Sequence, residues 1–581
     1  MKNTTLMRPL SLLFLFFLFS LSAFAQSISI KGVVRDADGV SMPGVNVVEV
    51  GSKTGTITDI EGKYTLQVNR DAKLSFSYIG YVKQIVQISG RTVINITLKE
   101  DTKVLNDVVV VGYGQMKRSD LTGSVVSVTS DAIQKSVSTS IDQVLQGRAA
   151  GVQVTQNSGI PGGGTSIHIR GINSLNSSNE PIFVIDGVVI DASTGSSSTN
   201  VLASINPSDI VSMDILKDAS ATAIYGSRAA NGVIIVTTKR GKEGAARITL
   251  DSYIGFQEMP KKLELLNLQE YAIHKNVRCK IMGYPLDDAF VRPDLLGKGT
   301  DWQDELFNTA LMQNHNLSIS GGSNNMNYAL GLGYLNQNGI ALGSGFERYN
   351  LRGNIEGQLK TWLKIGVNFS FNNSSQNVTV SDNDLINTSL MQTPNVAARN
   401  IDGTFGGPDT NEFVQSNPVG LALLKENQNK SNQFRNNIYA EATIIKGLTL
   451  KTEYSNDFGI NDNYQFTPSY QFGAIQNNVI ESTRSKSDSR FWSWRNILTY
   501  NNIIAEKHSV NIMLGQEMQE SSWEYLQGYR KGFITNNAHD LDAGDATTAK
   551  NIGNSGGNSL MSYFGRAFYS FEDRYLVTTT L

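Results

Sequence analysis

Leu363-Lys364-Ile365-Gly366-Val367-Asn368-Phe369-Ser370-Phe371 alternates without a fault. Leu, Ile, Val and the two Phe fall on one side, and Lys, Gly, Asn and Ser on the other. A period of two is the mark of an extended strand with one apolar face. The pattern recurs to either side. Tyr328, Leu330, Leu332 and Tyr334 alternate with Asn327, Ala329, Gly331 and Gly333, and Leu448, Leu450 and Tyr454 with Thr449, Lys451 and Glu453. One such strand would also suit a soluble sandwich. A series of them, roughly 9–11 residues long with aromatic ends, predicts lipid-facing strands of a transmembrane barrel. Tight turns such as Lys446-Gly447 alternate with long polar stretches such as 374 to 433, an asymmetry that fits periplasmic turns against extracellular loops.

Upstream, residues 117 to 241 read as a compact α+β unit. Val125-Val126-Ser127-Val128, Val152-Gln153-Val154, Ile167-His168-Ile169-Arg170 and Ile182-Phe183-Val184-Ile185 are strand-like, the last running into the turn Asp186-Gly187. Ser140 can cap a helix whose apolar face is Ile141, Val144 and Leu145. Ile210 to Leu216 is a strand, Ser220 to Tyr225 a short helix closed by Gly226, and Val233 to Thr238 a last buried strand.

Residues 28 to 99 read as a small β-sandwich, with short alternating runs separated by Gly and Asp turns such as Asp36-Ala37-Asp38-Gly39. Between the two units lies Asp107-Val108-Val109-Val110-Val111-Gly112-Tyr113-Gly114. Four consecutive valines favour an extended strand. Taken alone, they suit a last strand of the sandwich, or a segment that adds to a partner's sheet edge through backbone hydrogen bonds.

The first 25 residues predict an export signal. Lys2 and Arg8 precede the Leu- and Phe-rich run Leu10 to Leu21, and Ala23-Phe24-Ala25 is a small-x-small cleavage site. No cysteine follows the site, so the reading excludes a lipid anchor there. No other apolar stretch approaches 18 residues, so a membrane form has to be a barrel. The chain of 581 residues exceeds what one core organises, so several domains are expected. Its 50 Lys+Arg balance 52 Asp+Glu, which argues against a nucleic-acid partner. A single cysteine, Cys279, rules out an internal disulfide and reads as a partly buried thiol.

Several motifs carry a resemblance. Gly32-Val33-Val34, Pro43-Gly44-Val45-Asn46-Val47, Thr58-Asp59-x-x-Gly62-x-Tyr64 and Tyr78-Ile79-Gly80-Tyr81 resemble a carboxypeptidase-regulatory-like domain. That stretch contains no histidine, so it cannot assemble a zinc site of its own. Leu145-Gln146-Gly147-Arg148-Ala149-Ala150-Gly151-Val152, Ile169-Arg170-Gly171 and Val184-Ile185-Asp186-Gly187 are similar to plug-domain motifs. The run from Asp214 through Lys217-Asp218-Ala219-Ser220-Ala221-Thr222-Ala223-Ile224-Tyr225-Gly226-Ser227-Arg228 to Gly232 is similar, nearly residue for residue, to the plug of SusC/RagA-type TonB-dependent outer-membrane receptors.

That resemblance implies an arrangement: signal peptide over 1–25, β-sandwich over 26–100, linker over 101–116, plug over 117–241 and barrel over 242–581. It implies that Asp107, Val108, Val109, Val110 and Val111 are a Ton-box-like segment engaged by TonB and its inner-membrane energising complex. It implies further a SusD-like surface lipoprotein as lid, a glycan or peptide substrate, outer-membrane lipid around the barrel, no cofactor, and residence in the outer membrane of a Gram-negative bacterium of the Bacteroidota. Arg148, Arg170, Asp186, Tyr225 and Arg228 are the plug-motif residues on which its polar contacts would rest.

No catalytic reading survives. The histidines at 168, 274, 315, 508 and 539 are scattered, without metal-ligand spacing. Gly553-Asn554-Ser555-Gly556-Gly557 fits G-x-S-x-G but reads as a Gly/Asn/Ser loop before a strand, not a strand-to-helix elbow. Gly159 to Gly164 lacks a P-loop lysine.

About 11 or 12 candidate strands follow residue 245, roughly half of a plugged 22-stranded barrel. Unpaired strand edges in hydrocarbon cost on the order of tens of kcal/mol in all, so a fragment of a longer receptor is expected. The rival readings are a transport-inactive receptor fragment, a non-transporting exported binding protein and a secreted hydrolase using Ser555.

Overall fold

The computed structural model describes residues 27–36, 39–52, 54–70, 72–78, 81–98, 108–112, 114–117, 124–134, 141–156, 158–190, 205–379, 384–410, 415–572 and 574–581. The expected signal over 1–25, Asp107 and the Ser140 cap lie outside them. The chain divides into two compact units, Met1–Asp107 and Val108–Leu581.

In the first unit, Lys63–Asn69, Ser27–Arg35 and Ile96–Thr97 form one sheet, and Gly55–Ile57, Asn46–Glu49, Lys73–Ser77 and Gln84–Gln87 the other. Alternate residues turn inward: Ile30, Val34, Val47, Leu66, Val68, Leu74 and Phe76 are buried together. The motif residues hold this sandwich closed. The Thr58 hydroxyl donates to the Met42 carbonyl at 2.6 Å and accepts from the Val45 N–H at 2.8 Å. The Asp59 carboxylate accepts from the N–H groups of Glu61 and Lys63, and the Tyr64 hydroxyl donates to the Ile94 carbonyl at 2.8 Å. The signature is a set of turn and cross-sheet clasps.

The second unit begins with the valine run. Val108–Val111 pairs antiparallel with Gly114–Lys117 as a separate two-stranded hairpin, not as a last strand of the sandwich. A mixed five-stranded sheet follows in the order Val125–Thr129, Ile210–Leu216, Val233–Thr238, Ile182–Ile185 and Val188–Ile190. Val152–Gln156 and Thr165–Ile169 form a second small sheet beside the helix Ile141–Leu145. The helix expected over Ser220 to Tyr225 is instead one α-turn, Ala219–Thr222, continued as the 3-10 segment Ala223–Ala229. Gly226 kinks that segment at φ 67, ψ −157, a backbone geometry only glycine adopts without strain.

Around this plug runs an antiparallel sheet of eleven strands in simple sequential order. They are β1 (Gly244–Gln257), β2 (Ala310–Ser323), β3 (Met326–Asn338), β4 (Gly345–Lys360), β5 (Leu363–Asn377), β6 (Glu426–Ile445), β7 (Leu448–Thr467), β8 (Glu481–Ile504), β9 (His508–Lys531), β10 (Lys550–Phe571) and β11 (Tyr575–Thr580). The alternation divides their two faces: Leu330, Leu332, Ile365, Phe371, Leu450, Tyr454 and Trp494 are exposed on the side away from the plug. Asn316, Arg348, Asn354, Glu453, Arg495 and Glu517 are buried on the side toward it.

Three expectations need correcting. Apart from the six-residue β11, the strands run from 13 residues in β3 to 24 in β8 and β9, well past the 9–11 that cross a bilayer, because pairing continues beyond the apolar band. The polar stretch 374 to 433 is shorter as a loop: Asn373 to Asn377 extend β5 and Gln428 to Gln433 extend β6, paired residue against residue. Side-chain amides such as Asn373 on Asn432, at 2.7 Å, bridge these polar strand ends. The remaining connection carries the helices Asp384–Met391 and Pro418–Leu424. Finally, Gly553 to Gly557 lie inside β10, with Ser555 opposite Glu524 of β9, and not in a loop before it. Backbone pairing holds extended there a sequence whose side chains say turn.

Candidate functional site

On one side the plug meets the wall through a short turn of positive φ and an arginine. Ile185 and Val188 pair across the two-residue turn Asp186-Gly187, whose φ values are 48 and 92. Two successive positive φ angles are what a tight hairpin requires, and Asp-Gly supplies them at low steric cost. The Asp186 carboxylate accepts from the Thr238 N–H at 3.0 Å and from the Thr238 hydroxyl, which ties the turn to the neighbouring strand. The Gly187 carbonyl points outward and accepts from Arg495 of β8 at 3.4 Å.

Arg495 is the centre of a row of alternating charges on the wall. It contacts Glu453 of β7 at 3.1 Å and Glu517 of β9 at 2.8 Å, while Lys451 stands 3.3 Å from Glu453. Arg228, carried by the 3-10 segment after the Gly226 kink, reaches Glu517 at 3.1 Å and also donates to Gln519. Arg495, Glu453 and Glu517 are almost completely buried. Charges so placed stay ionised only if each has opposite charges or hydrogen bonds around it, which this row provides. Beside it, Ile224 and Tyr225 of the plug pack with Ile497, Met513 and Phe564 of the wall.

The opposite side of the plug is held by amides and a second acid. Asn206 donates to Asn316 of β2, Arg348 of β4 donates to the Ile205 carbonyl at 3.5 Å, and Arg352 lies 3.9 Å from Asp209. Burial pushes the Asp209 carboxyl above the usual carboxylate range, against the opposing pull of Arg352, Lys239 and Arg348. A cavity of about 50 Å3 separates Asp186, Asn206 and Asp209 from Asn350, Asn354 and Asn372 there, room for a water or two.

The five plug-motif residues therefore divide. Arg228 and Tyr225 face the wall, and Asp186 shapes the turn that touches it. Arg170 stays within the plug, 2.5 Å from Asp218, whose carboxyl is held below its usual range by the Ser124 N–H and by Arg170. Arg148 is exposed and donates to the Ala132 carbonyl. The run Val108–Val111 is an extended strand, and Gly112 after it is buried so closely on Ile224 that an added Cβ would come within 2.5 Å of that side chain. Sequence reasoning missed Glu453, Arg495, Glu517, Asp209 and Arg352. Their signal was a charge on the polar side of an alternating strand, but nothing in the sequence paired one with another.

A domain seated by ion pairs against the inner face of a long antiparallel wall defines a class, the plugged barrels of TonB-dependent receptors. The family described as TonB-dependent Receptor Plug Domain matches residues 117–233, and the CarboxypepD_reg-like domain matches 30–110. The TonB-dependent receptor SusC of Bacteroides thetaiotaomicron is 34% identical over 100% of this chain and 58% of its own. The TonB-dependent receptor P26 of Formosa agariphila is 36% identical over 96% of this chain and 56% of its own. The RagAB peptide importer in its open-open state superposes with a TM-score of 0.70 at 27% identity, covering 81% of this chain and 56% of that one. The chain is similar over its whole length to SusC-type TonB-dependent receptors, and it spans a little over half the length of the relatives it matches.

Proposed function

We propose that the receptor to which this chain belongs imports oligosaccharides or peptides across the outer membrane, driven by TonB. The observation that carries this reading is the joining of a valine strand, Val108–Val111, to a plug held in the wall by the polar contacts of Arg228, Gly187 and Asp209. Among the described residues the run has a partner strand on one side, Gly114–Lys117, so its other edge can accept a strand of TonB by backbone pairing. Tension applied there reaches the plug at its first residues. Beside the apolar packing of Ile224 and Tyr225, the wall contacts are ion pairs and hydrogen bonds that water can replace once the plug is pulled, so applied force can remodel the plug and the contacts re-form afterwards. A SusD-like surface lipoprotein closes over the substrate from outside, and inner-membrane proton-motive force, relayed by TonB, supplies the work. Arg148 and Arg170 act on this reading within the plug, and Asp186, Tyr225 and Arg228 at its seat. No bound cofactor is required.

The test is deletion of Asp107–Val111 in the full-length receptor. Uptake should be abolished while substrate still binds at the cell surface. Uptake that persists in the deletion strain refutes the reading.

A further inference from the structure

Beyond the apolar band, the outer face of the wall carries a cavity of about 680 Å3. Gln428 and Lys430 of β6, Asp462 of β7, Arg484 and Lys486 of β8 and Asn551 of β10, which pairs with Gly528 of β9, line it. Its face follows from the alternation. On β6 to β9 the odd-numbered Asn437, Glu453, Arg495 and Glu517 are buried on the plug side, while the even-numbered Ile438, Tyr454, Trp494 and Leu514 are exposed on the other. Lys430, Asp462, Arg484 and Lys486 are even-numbered, and no bulge is recorded in the registers that join these strands there. They therefore stand on the outer face.

The connection between β9 and β10 folds back over that face and forms the rim. Arg530 donates to the carbonyls of Asp542 and Gly544 at 3.2 and 3.3 Å, and His539 meets the Tyr464 hydroxyl at 2.7 Å. Phe533 packs with Phe466 and Ile480. The rim is thus anchored by its own contacts.

The height follows from β8. Its outward residues from Ile504 to Trp492, with Tyr500, Leu498 and Trp494 among them and Asn502 and Asn496 between, form the mainly apolar stretch, starting at the tight turn before His508. The twelve steps from Ile504 to Trp492, at about 3.3 Å each and tilted by about 45°, rise roughly 28 Å, one hydrocarbon core. Lys486 and Arg484 come roughly 14–19 Å higher on the same reckoning, at the level of lipid headgroups and the sugars above them. Three cationic side chains against one carboxylate line a cavity at this level. The contacts of Lys486 with Asp488 and of Arg484 with Asp540 are long, 3.8 and 3.6 Å, and both cations are about half exposed, so an incoming phosphate can draw them away.

We propose that this cavity binds the phosphorylated sugar headgroup of an outer-leaflet glycolipid, with Lys430, Arg484 and Lys486 on phosphate and Gln428 and Asn551 on sugar hydroxyls. The site would fix an annular lipid at one place on the wall. The proposal rests on the outer-membrane reading above, but its test needs no energised uptake, so the two can fail separately.

The experiment is native mass spectrometry on the full-length receptor in detergent, titrated with lipopolysaccharide, with its dephosphorylated form and with inorganic phosphate. The wild type should hold phosphorylated lipopolysaccharide at least tenfold more tightly than the dephosphorylated form. The Lys430→Gln/Arg484→Gln/Lys486→Gln variant should lose that tenfold preference, and Leu541→Trp, which fills the cavity and leaves the charges in place, should lose it too. Retained heat-modifiable mobility shows that both variants are folded. Equal binding by wild type and variants overturns the proposal, and so does saturation by inorganic phosphate alone, which would make the site one for a free anion.

Discussion

Arg228 of the plug donates to Glu517 of β9 at 3.1 Å, across 289 residues of sequence, and both side chains are largely shielded from water. Glu517 is shared with Arg495, so removing one member leaves the others short of a counter-charge. Replacing Arg228 by Ala should destabilise the seated plug by about 3 kcal/mol, and Glu517→Gln by up to about 5 kcal/mol. The double variant should cost less than the sum, because the two changes remove one interaction twice. Denaturant midpoints of the four proteins check this. Strictly additive costs would show that the pair is not coupled.

The Asp186-Gly187 turn is sensitive in two ways. Gly187 has φ 92, and a Cβ added to it would lie 3.3 Å from the Glu453 carboxylate. Gly187→Ala should cost about 1–2 kcal/mol from backbone strain and loosen the Arg495 contact. Asp186→Ala should cost about 1–3 kcal/mol by stranding the Thr238 donors, whereas Asp186→Asn, which keeps an acceptor and tolerates positive φ, should cost less. Thermal unfolding of the three variants gives the order; an Asn variant as unstable as Ala would contradict it.

The sandwich has its own weak point at Gly32, where an added Cβ would fall 1.8 Å from the Ile94 carbonyl oxygen. No side-chain rotation relieves a clash with backbone, so Gly32→Ala should open the first unit to protease. The second unit is compact by itself and should keep its heat-modifiable mobility. Intact resistance of residues 27–98 in that variant would refute the packing described.

Tyr64, buried and bonded to the Ile94 carbonyl, has its hydroxyl pushed up to about 12 by burial. The native state holds this proton more tightly than the unfolded chain does. Its contribution is therefore complete below about pH 10, the ordinary tyrosine value, and is lost as pH rises toward 12. A difference titration of phenolate absorbance, wild type minus Tyr64→Phe, should show one tyrosine ionising near pH 12 together with unfolding of the sandwich. Ionisation of that residue at pH 10 would count against its burial.

What the residues alone determined is local. Alternation in Leu363 to Phe371 announced both the strand and its exposed apolar side, because side chains on an extended backbone point to opposite faces whatever surrounds them. Asp186-Gly187 announced a tight turn, because few other pairs accept positive φ twice. Composition misled where polar strand ends such as Asn373 to Asn377 and Gly553 to Gly557 borrow their conformation from a paired neighbour. The tertiary structure alone decided which charges meet. Glu453, Arg495 and Glu517 come together because antiparallel register and wall curvature bring three strands against one turn of the plug, and a charge's partner in a buried site is fixed by position in space rather than by neighbours in the chain.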